Sequence, residues 1–214
     1  MAYEVLRDRM VQEQIESRGI RDRRLLKVMR DTPRHAFVPD DRRDSAYWDM
    51  PVPIEHGQTI SQPYMVALMT ELLRLTGDET VLDVGTGSGY QAAILAQLAR
   101  RVVSIERIPE LARTAAERLA ALGFTNVEVV VADGSAGWPE SAPYHAILVA
   151  AGAPDIPEPL IAQLAPGGRL VVPVGSGGTQ VLTAVQTLPD GTRMTETHGP
   201  CVFVPLIGEH GWKH

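Results

Sequence analysis

Residues 80–99 read TVLDVGTGSGYQAAILAQLA and place an apolar strand, a glycine-rich turn and a helix in direct succession. Glycines at positions 85, 87 and 89 permit a tight strand-to-helix turn and let backbone amides approach a ligand closely. The dinucleotide fingerprint GxGxxG would require glycine at position 90, where the chain has Tyr90. The stretch therefore predicts a ligand-binding turn of the GxGxG type at the start of an α/β unit.

The same alternation of strand and helix continues to the end of the chain. Apolar runs predict strands over 80–84, 101–106, 127–133, 144–150, 169–175, 181–187 and 201–207, and helical patterns fall over 90–99, 109–122 and 156–164. Buried strands separated by helices are typical of a doubly wound sheet with right-handed crossovers. We therefore expect an α/β fold with a Rossmann-like, mostly parallel sheet.

The N-terminal part reads differently, as helices followed by a long loop. Leu6, Met10 and Ile15 mark one apolar face, and 25–29 mark a second helix that ends before Pro33. Residues 37–62 are loop-rich, and a helix begins near position 63. We expect one domain over 1–214, in which 1–62 form a helical N-terminal extension and substrate loop and 63–214 form the cofactor-binding core.

Composition and charge exclude several classes of protein. The chain has 214 residues and a net charge of −6, of which residues 1–45 contribute +2 and the remainder −8. An acidic main body disfavours nucleic acid as the principal partner, because phosphate contacts need a basic surface. Cys201 is the only cysteine, which favours a reducing, cytoplasmic setting. No apolar run approaches the length of a membrane span, so no membrane association is expected.

Acidic residues end three successive predicted strands: Asp83, Glu106 and Asp133, the last followed by Gly134. Glu106 is placed where a carboxylate accepts hydrogen bonds from a ribose diol, and Asp133-Gly134 where an adenine edge is held. The body offers no obvious cation for a pyrophosphate, whereas Asp83 beside the loop suits a cationic ligand. We therefore predict S-adenosyl-L-methionine, which yields S-adenosyl-L-homocysteine, rather than NAD as the cofactor.

Several segments, in order, carry a family resemblance. They are PIEHGQTISQPYMVALMTELL (53–73), VLDVGTGSGYQAAILA (81–96), ADG (132–134), LAPGGRLVVPVG (164–175) and VFVPL (202–206). Together they resemble the protein-L-isoaspartate O-methyltransferases over essentially the whole chain. Two positions depart from the family pattern, Glu55 and Ala132, where glycine is usual.

The resemblance implies a repair reaction. Its substrate is the free α-carboxyl of L-isoaspartyl residues, with D-aspartyl residues as an extension, in damaged peptides and proteins. The methyl ester collapses to a succinimide, whose hydrolysis returns some L-aspartyl. A carboxylate with a pKa of about 4 is already ionised at neutral pH, so the reaction needs no general base.

The resemblance and the strand-end pattern together give the expected site. Ser61, in QTIS, matches the family's active-site serine and is the predicted catalytic residue. Predicted substrate contacts are Ile60, Ser61, Val204, Pro205 and Leu206. Predicted cofactor contacts are Thr59, Ile60, Asp83, Gly85, Thr86, Gly87, Ser88, Gly89, Glu106, Arg107, Asp133 and Gly134.

Alternatives remain for these residues and for the function. Ser61 also suits the N-cap of the helix that follows, and His56 reads as an ordinary loop histidine rather than a base. The six histidines lack ligand spacing, so no metal is expected. The other functions weighed are a class I methyltransferase with a small-molecule or RNA acceptor and a module that binds the cofactor without chemistry. We expect a monomer.

Overall fold

The fold is built on the buried run TVLDV with which the sequence analysis began. The computed structural model describes residues 3–176, 178–188 and 190–213. Its helices are α1 (Tyr3–Arg9), a π-helical segment (Met10–Ile15), α2 (Arg23–Asp31), α3 (Pro63–Leu73), α4 (Tyr90–Ala96), α5 (Pro109–Ala121) and α6 (Glu158–Ala162). Its strands are β1 (Val52–Pro53), β2 (Thr59–Ile60), β3 (Thr80–Val84), β4 (Arg101–Glu106), β5 (Val127–Val131), β6 (Tyr144–Val149), β7 (Leu164–Val174), β8 (Gln180–Thr187) and β9 (Arg193–Cys201).

Seven of the strands form one mixed sheet in the order β5-β4-β3-β6-β7-β8-β9. The pairs from β5 to β7 are parallel, and β8 pairs antiparallel with both β7 and β9. All five residues of β3 are buried, as expected for a central strand covered on both faces. Because the order reverses at β3 and β6, a crevice opens at their carboxyl ends, where ligands bind in such sheets. The predicted mostly parallel, Rossmann-like sheet is confirmed.

The last strand differs from the prediction. Residues 201–207 were expected to be the seventh strand, but β9 ends at Cys201 and the seventh strand is the polar run RMTETHGPC. An edge strand can be polar because only one of its sides pairs with the sheet, and β9 pairs with β8 alone. Residues 202–207 follow β9, and the backbones of Val204 and Leu206 exchange hydrogen bonds with Gly152 at the carboxyl end of the sheet.

The N-terminal extension packs against α3 and α4 through its apolar face. Asp22 caps α2, its Oδ1 accepting hydrogen bonds from the amides of Arg24 (2.8 Å) and Leu25 (3.3 Å). The side chains of 25, 26, 28 and 29 are buried, as predicted, and join the same apolar cluster as α4. The first predicted helix continues beyond α1 as a π-helical segment, and both Met10 and Ile15 are buried there. None of the described helices is long and apolar enough to cross a bilayer.

A stability prediction follows from Gly134, just beyond β5. A Cβ on this residue would lie 2.5 Å from Cγ1 of Val84, which is itself 1% exposed on the central strand. Overpacking against such a rigid neighbour costs about 1–3 kcal/mol. We expect Gly134→Ala to lower the free energy of unfolding in urea by that amount. Gly178→Ala is the control, since its Cβ would meet nothing within 4 Å; equal stabilities for the two variants would contradict the packing described.

Candidate active site

The glycine-rich turn joins β3 to α4 in a conformation that only glycine adopts readily. Gly85, Gly87 and Gly89 have φ angles of +98°, +51° and +89°. The turn is also fixed from outside, because the amides of Gly85 and Thr86 donate to the carbonyl of Ile105 at 2.9 and 3.0 Å. The predicted GxGxG turn therefore presents its backbone toward the carboxyl end of the sheet, and Tyr90 begins the helix behind it.

A cavity of about 220 Å³ lies against this turn. Its wall contains most of the residues predicted to bind cofactor or substrate: Thr59, Ile60, Ser61, Gly85, Thr86, Gly87, Ser88, Glu106, Arg107, Gly134, Val204, Pro205 and Leu206. Three predicted cofactor residues, Asp83, Gly89 and Asp133, are not part of the wall. The segments that the sequence places far apart thus meet around one space.

Glu106 is held firmly in this wall at the end of β4. The side chain is 6% exposed, and its Oε2 accepts from the amide of Gly87 at 2.9 Å while Oε1 accepts from the amide of Ile108 at 3.0 Å. Each carboxylate oxygen keeps a further lone pair after these bonds. The residue can therefore accept hydrogen bonds from a vicinal diol, which is the role predicted for it.

Asp83 lies beneath the turn and is completely buried. Its Oδ2 accepts a hydrogen bond from Oγ of Ser104 at 2.7 Å, whereas Oδ1 has no partner among the described residues. Burial raises the pKa of this carboxyl to about 7. The hydrogen bond from Ser104 lowers the pKa, and the negative charge of Glu106 raises it by a smaller amount. An unpartnered carboxylate oxygen next to a glycine turn fits a cationic ligand, because nearby positive charge favours the ionised form.

Asp133 points toward the C-terminal segment. Its Oδ1 accepts from the amide and hydroxyl of Ser135 (2.9 and 2.7 Å), and its Oδ2 accepts from the amide of Glu209 at 2.7 Å. Although burial opposes the shift, these hydrogen bonds lower the pKa of the Asp133 carboxyl. Of the pair predicted to hold an adenine edge, only Gly134 lines the cavity.

A second cavity, of about 510 Å³, opens on the other side of Ser61. Four residues belong to the walls of both cavities: Thr59, Ser61, Ala150 and Val204. The hydroxyl of Ser61 makes no hydrogen bond to another described residue, so it is available at the boundary. The alternative N-cap role for Ser61 is wrong, because Gln62 occupies the N-cap of α3 and its side chain donates to Asp49 O instead.

The segment 202–207 covers both cavities from the C-terminal side. The amide of Gly152 donates to Val204 O at 2.8 Å, and the amide of Leu206 donates to Gly152 O at 2.8 Å. These two bonds run the segment alongside Gly152, beyond the end of β6. The apolar run that the sequence analysis took for a strand is therefore a wall of the site.

Sequence reasoning missed several residues of the first cavity, among them Tyr90, Ile108 and Ala150. Ile108 follows Glu106 by two positions and Ala150 follows β6 directly, so the rule of strand ends would have found both. His56 lines neither cavity and is a loop residue with φ +57°. Within the described residues no group of three His, Cys, Asp or Glu side chains is arranged to hold a metal ion.

Two features define a Rossmann-like methyltransferase fold. One is the order of the strands in the sheet, and the other is the glycine turn after β3 with an acidic residue, Glu106, at the end of the next strand. The residues present fit S-adenosylmethionine on two counts: the unpartnered Asp83 Oδ1 suits its positive charge, and the fixed carboxylate of Glu106 suits its ribose.

Comparisons with known proteins identify the family. The family model for protein-L-isoaspartate(D-aspartate) O-methyltransferase matches residues 6–211. A protein-L-isoaspartate O-methyltransferase of Trichlorobacter lovleyi is 56% identical over 211 residues, covering 99% of this chain and 97% of its own. One of Methanoculleus marisnigri is 53% identical over 214 residues, covering 97% and 94%. The chain belongs to the protein-L-isoaspartate O-methyltransferase family.

Solved structures agree with this assignment. A protein-L-isoaspartate O-methyltransferase superposes with a TM-score of 0.85 at 28% identity, over 96% of this chain and 67% of that one. A Plasmodium falciparum protein solved in complex with S-adenosyl-L-homocysteine superposes with a TM-score of 0.79 at 27% identity, over 92% and 96% of the two chains. The cofactor of the family is S-adenosylmethionine, as the sequence analysis predicted.

The raised pKa of Asp83 gives a prediction on stability. Because the folded protein binds this proton more tightly than the unfolded chain does, the contribution of Asp83 to stability falls as pH rises from about 4 to about 7. We expect the ligand-free wild-type protein to lose unfolding free energy between pH 5 and pH 7.5 because of Asp83. In Asp83→Asn this loss should be smaller by about 1–3 kcal/mol. Urea titrations at the two pH values measure it. Ser176→Ala, an exposed control, should leave the difference unchanged, and an equal pH dependence in Asp83→Asn would contradict the shift.

Proposed function

We propose that this chain transfers a methyl group from S-adenosylmethionine to the free α-carboxylate of L-isoaspartyl residues in peptides and proteins. The observation that carries the proposal is the boundary formed by Thr59, Ser61, Ala150 and Val204, which separates two cavities. One cavity has the glycine turn and Glu106 in its wall and suits the cofactor. The other is larger, lies beside 198–204 and suits the acceptor.

The cofactor supplies an electrophilic methyl group on a positively charged sulfur. On this proposal Gly85, Gly87 and Glu106 bind it, and Asp83 provides negative charge beneath the turn. Loss of the proton from Asp83 accompanies the arrival of that positive charge, because the ionised carboxylate is the form that the cation stabilises. Gly134 and Ile108 would complete the wall on the side of β5.

On this proposal Ser61 binds the acceptor carboxylate. Its free hydroxyl donates to the acceptor carboxylate at the boundary of the two cavities, and the segment 202–206 contacts the flanking peptide through its backbone. The carboxylate oxygen forms the new bond to the methyl carbon as the carbon–sulfur bond breaks. No proton is transferred in this step, since the acceptor is already ionised. Catalysis then comes from holding the two reactants in line and from excluding water that would solvate their opposite charges.

The products agree with a repair role. The reaction yields a methyl ester and S-adenosylhomocysteine. Attack of the neighbouring backbone amide nitrogen on the ester carbonyl expels methanol and forms a succinimide, whose hydrolysis returns some L-aspartyl. Activity on D-aspartyl residues is part of the proposal, as is action by a cytoplasmic monomer without nucleic acid or membrane. The support for that setting is the single cysteine and the acidic main body.

The reaction is tested with labelled S-adenosylmethionine and two synthetic peptides that differ only in one aspartyl or isoaspartyl linkage. We expect base-labile label on the isoaspartyl peptide alone. Equal labelling of both peptides, or of neither while the cofactor binds, would refute the proposed substrate.

The role of Ser61 is tested in the same assay. A hydrogen bond to a charged group is worth about 1.5–3 kcal/mol, so we expect kcat/KM to fall about 10- to 100-fold in Ser61→Ala. The Kd for S-adenosylhomocysteine, measured by calorimetry, should change less than about threefold. Ser176→Ala removes an exposed hydroxyl and serves as the matched control. If both variants kept wild-type kcat/KM, Ser61 would not bind the acceptor.

A further inference from the structure

Arg34, from the N-terminal extension, is completely buried behind the predicted acceptor loop. Its Nη2 donates to Ser61 O at 2.8 Å, and its Nε donates to Ala46 O at 2.7 Å. The guanidinium thus joins two segments of the loop-rich region at the residue predicted to bind the acceptor. Its fork geometry lets one side chain fix both carbonyls at once.

The same guanidinium also contacts Tyr90, which lies in the wall of the predicted cofactor cavity. Its central carbon lies 4.9 Å from the ring centroid of Tyr90, the residue that follows the third glycine of the turn. Tyr90 is 1% exposed, is part of the first cavity's wall and packs edge-on against Phe37. Arg34 is therefore in contact both with the loop that carries Ser61 and with the first residue of α4.

Burial of the Arg34 guanidinium is costly, and one of its donors is left without a partner among the described residues. That donor is Nη1, and the positive charge of the group is stabilised chiefly by Tyr90 and less by Tyr47 and Asp49. Burial lowers the pKa of Arg34 to about 10, so the group stays positively charged at neutral pH. The buried charge and the unsatisfied donor are costly, and in return the side chain satisfies the carbonyls of Ala46 and Ser61.

We propose that Arg34 is a positioning residue for methyl transfer, which sets the distance between the acceptor loop at Ser61 and the cofactor turn at Tyr90. The inference rests on the proposed function. The rate of an in-line displacement falls steeply when the reactants are misplaced by about 1 Å, so a residue that ties the two binding segments together acts on kcat. Ser61 keeps its own contact with the acceptor, and Arg34 acts through it.

Arg169 provides a matched control. It is also a buried arginine, 5% exposed, and its Nε donates to a backbone carbonyl of α3, that of Leu72, at 2.9 Å. Leu72 lies in the last turn of α3, whereas Ser61 precedes its first turn. Arg169 lines neither of the two cavities at the site. Substitution of Arg169 therefore reproduces the loss of a buried arginine without touching the proposed link.

The experiment compares Arg34→Lys and Arg34→Met with Arg169→Lys and Arg169→Met at saturating cofactor and isoaspartyl peptide. We expect kcat to fall about 10- to 100-fold in Arg34→Lys and further in Arg34→Met, because lysine keeps the charge but cannot bridge both carbonyls. The Kd for S-adenosylhomocysteine should stay within about threefold of wild type. The Arg169 variants should lose thermal stability to a similar degree and keep kcat.

Three results would overturn the inference. The first is a kcat within threefold of wild type in both folded Arg34 variants. The second is a Kd for S-adenosylhomocysteine that weakens as much as kcat falls, and the third is an equal loss of kcat in the Arg169 variants.

If the Arg34 variants do not fold, Tyr90→Leu tests the link at the cofactor cavity. A loss of kcat of about tenfold at saturating cofactor supports the link, and an unchanged kcat refutes it. Failure of the wild-type protein to methylate the isoaspartyl peptide would refute the proposed function instead.

Discussion

The hydrogen bond from the amide of Gly87 to Oε2 of Glu106 links the two strand ends on which the site depends. It fixes the turn after β3 against the end of β4, and it does so with a carboxylate that is nearly inaccessible to solvent. The donor lies in the turn at a residue with a φ angle of +51°, a conformation that glycine adopts readily. The wall of the first cavity, the start of α4 and the position of Tyr90 all follow from this arrangement.

The three acidic strand ends show how far the sequence alone leads. Parallel strands bring their carboxyl ends to one edge, so Asp83, Glu106 and Asp133 could be placed at one end of the sheet from the sequence. The direction in which each side chain points could not be predicted from the sequence. Along β3 successive side chains face opposite sides of the sheet, and it is Val84 that lines the cavity while Asp83 turns to Ser104. Asp133 is taken up by the amide of Glu209, 76 residues away in the chain, which no local pattern indicates.

The C-terminal region shows the opposite problem, in which composition misleads. Residues 202–207 are apolar because they cover two cavities, whereas the strand that completes the sheet, β9, is polar because it lies at an edge. The prediction of a buried strand was therefore wrong here: Val202 is 71% exposed, and Leu206 is the buried residue of the segment. No sequence pattern indicated a role for Arg34. Its bonds reach Ala46 and Ser61, 12 and 27 residues away, and only the packed structure reveals that one side chain joins them.

The charges of the site are arranged in a complementary way. Asp83, whose Oδ1 has no partner among the described residues, lies under the turn assigned to the positively charged cofactor. The buried guanidinium of Arg34 lies behind the loop assigned to the anionic acceptor. In the ligand-free protein the cost at Asp83 is limited because burial raises the pKa of its carboxyl to about 7, whereas Arg34 stays charged and bears the cost of lost hydration. Each cost is reduced when a reactant of opposite sign is bound. Since the transfer neutralises both reactants, opposite charges in the protein stabilise the bound reactants more than the transition state or the products. Asp83 and Arg34 therefore favour binding and product release through their charge, and the rate depends on how the reactants are positioned.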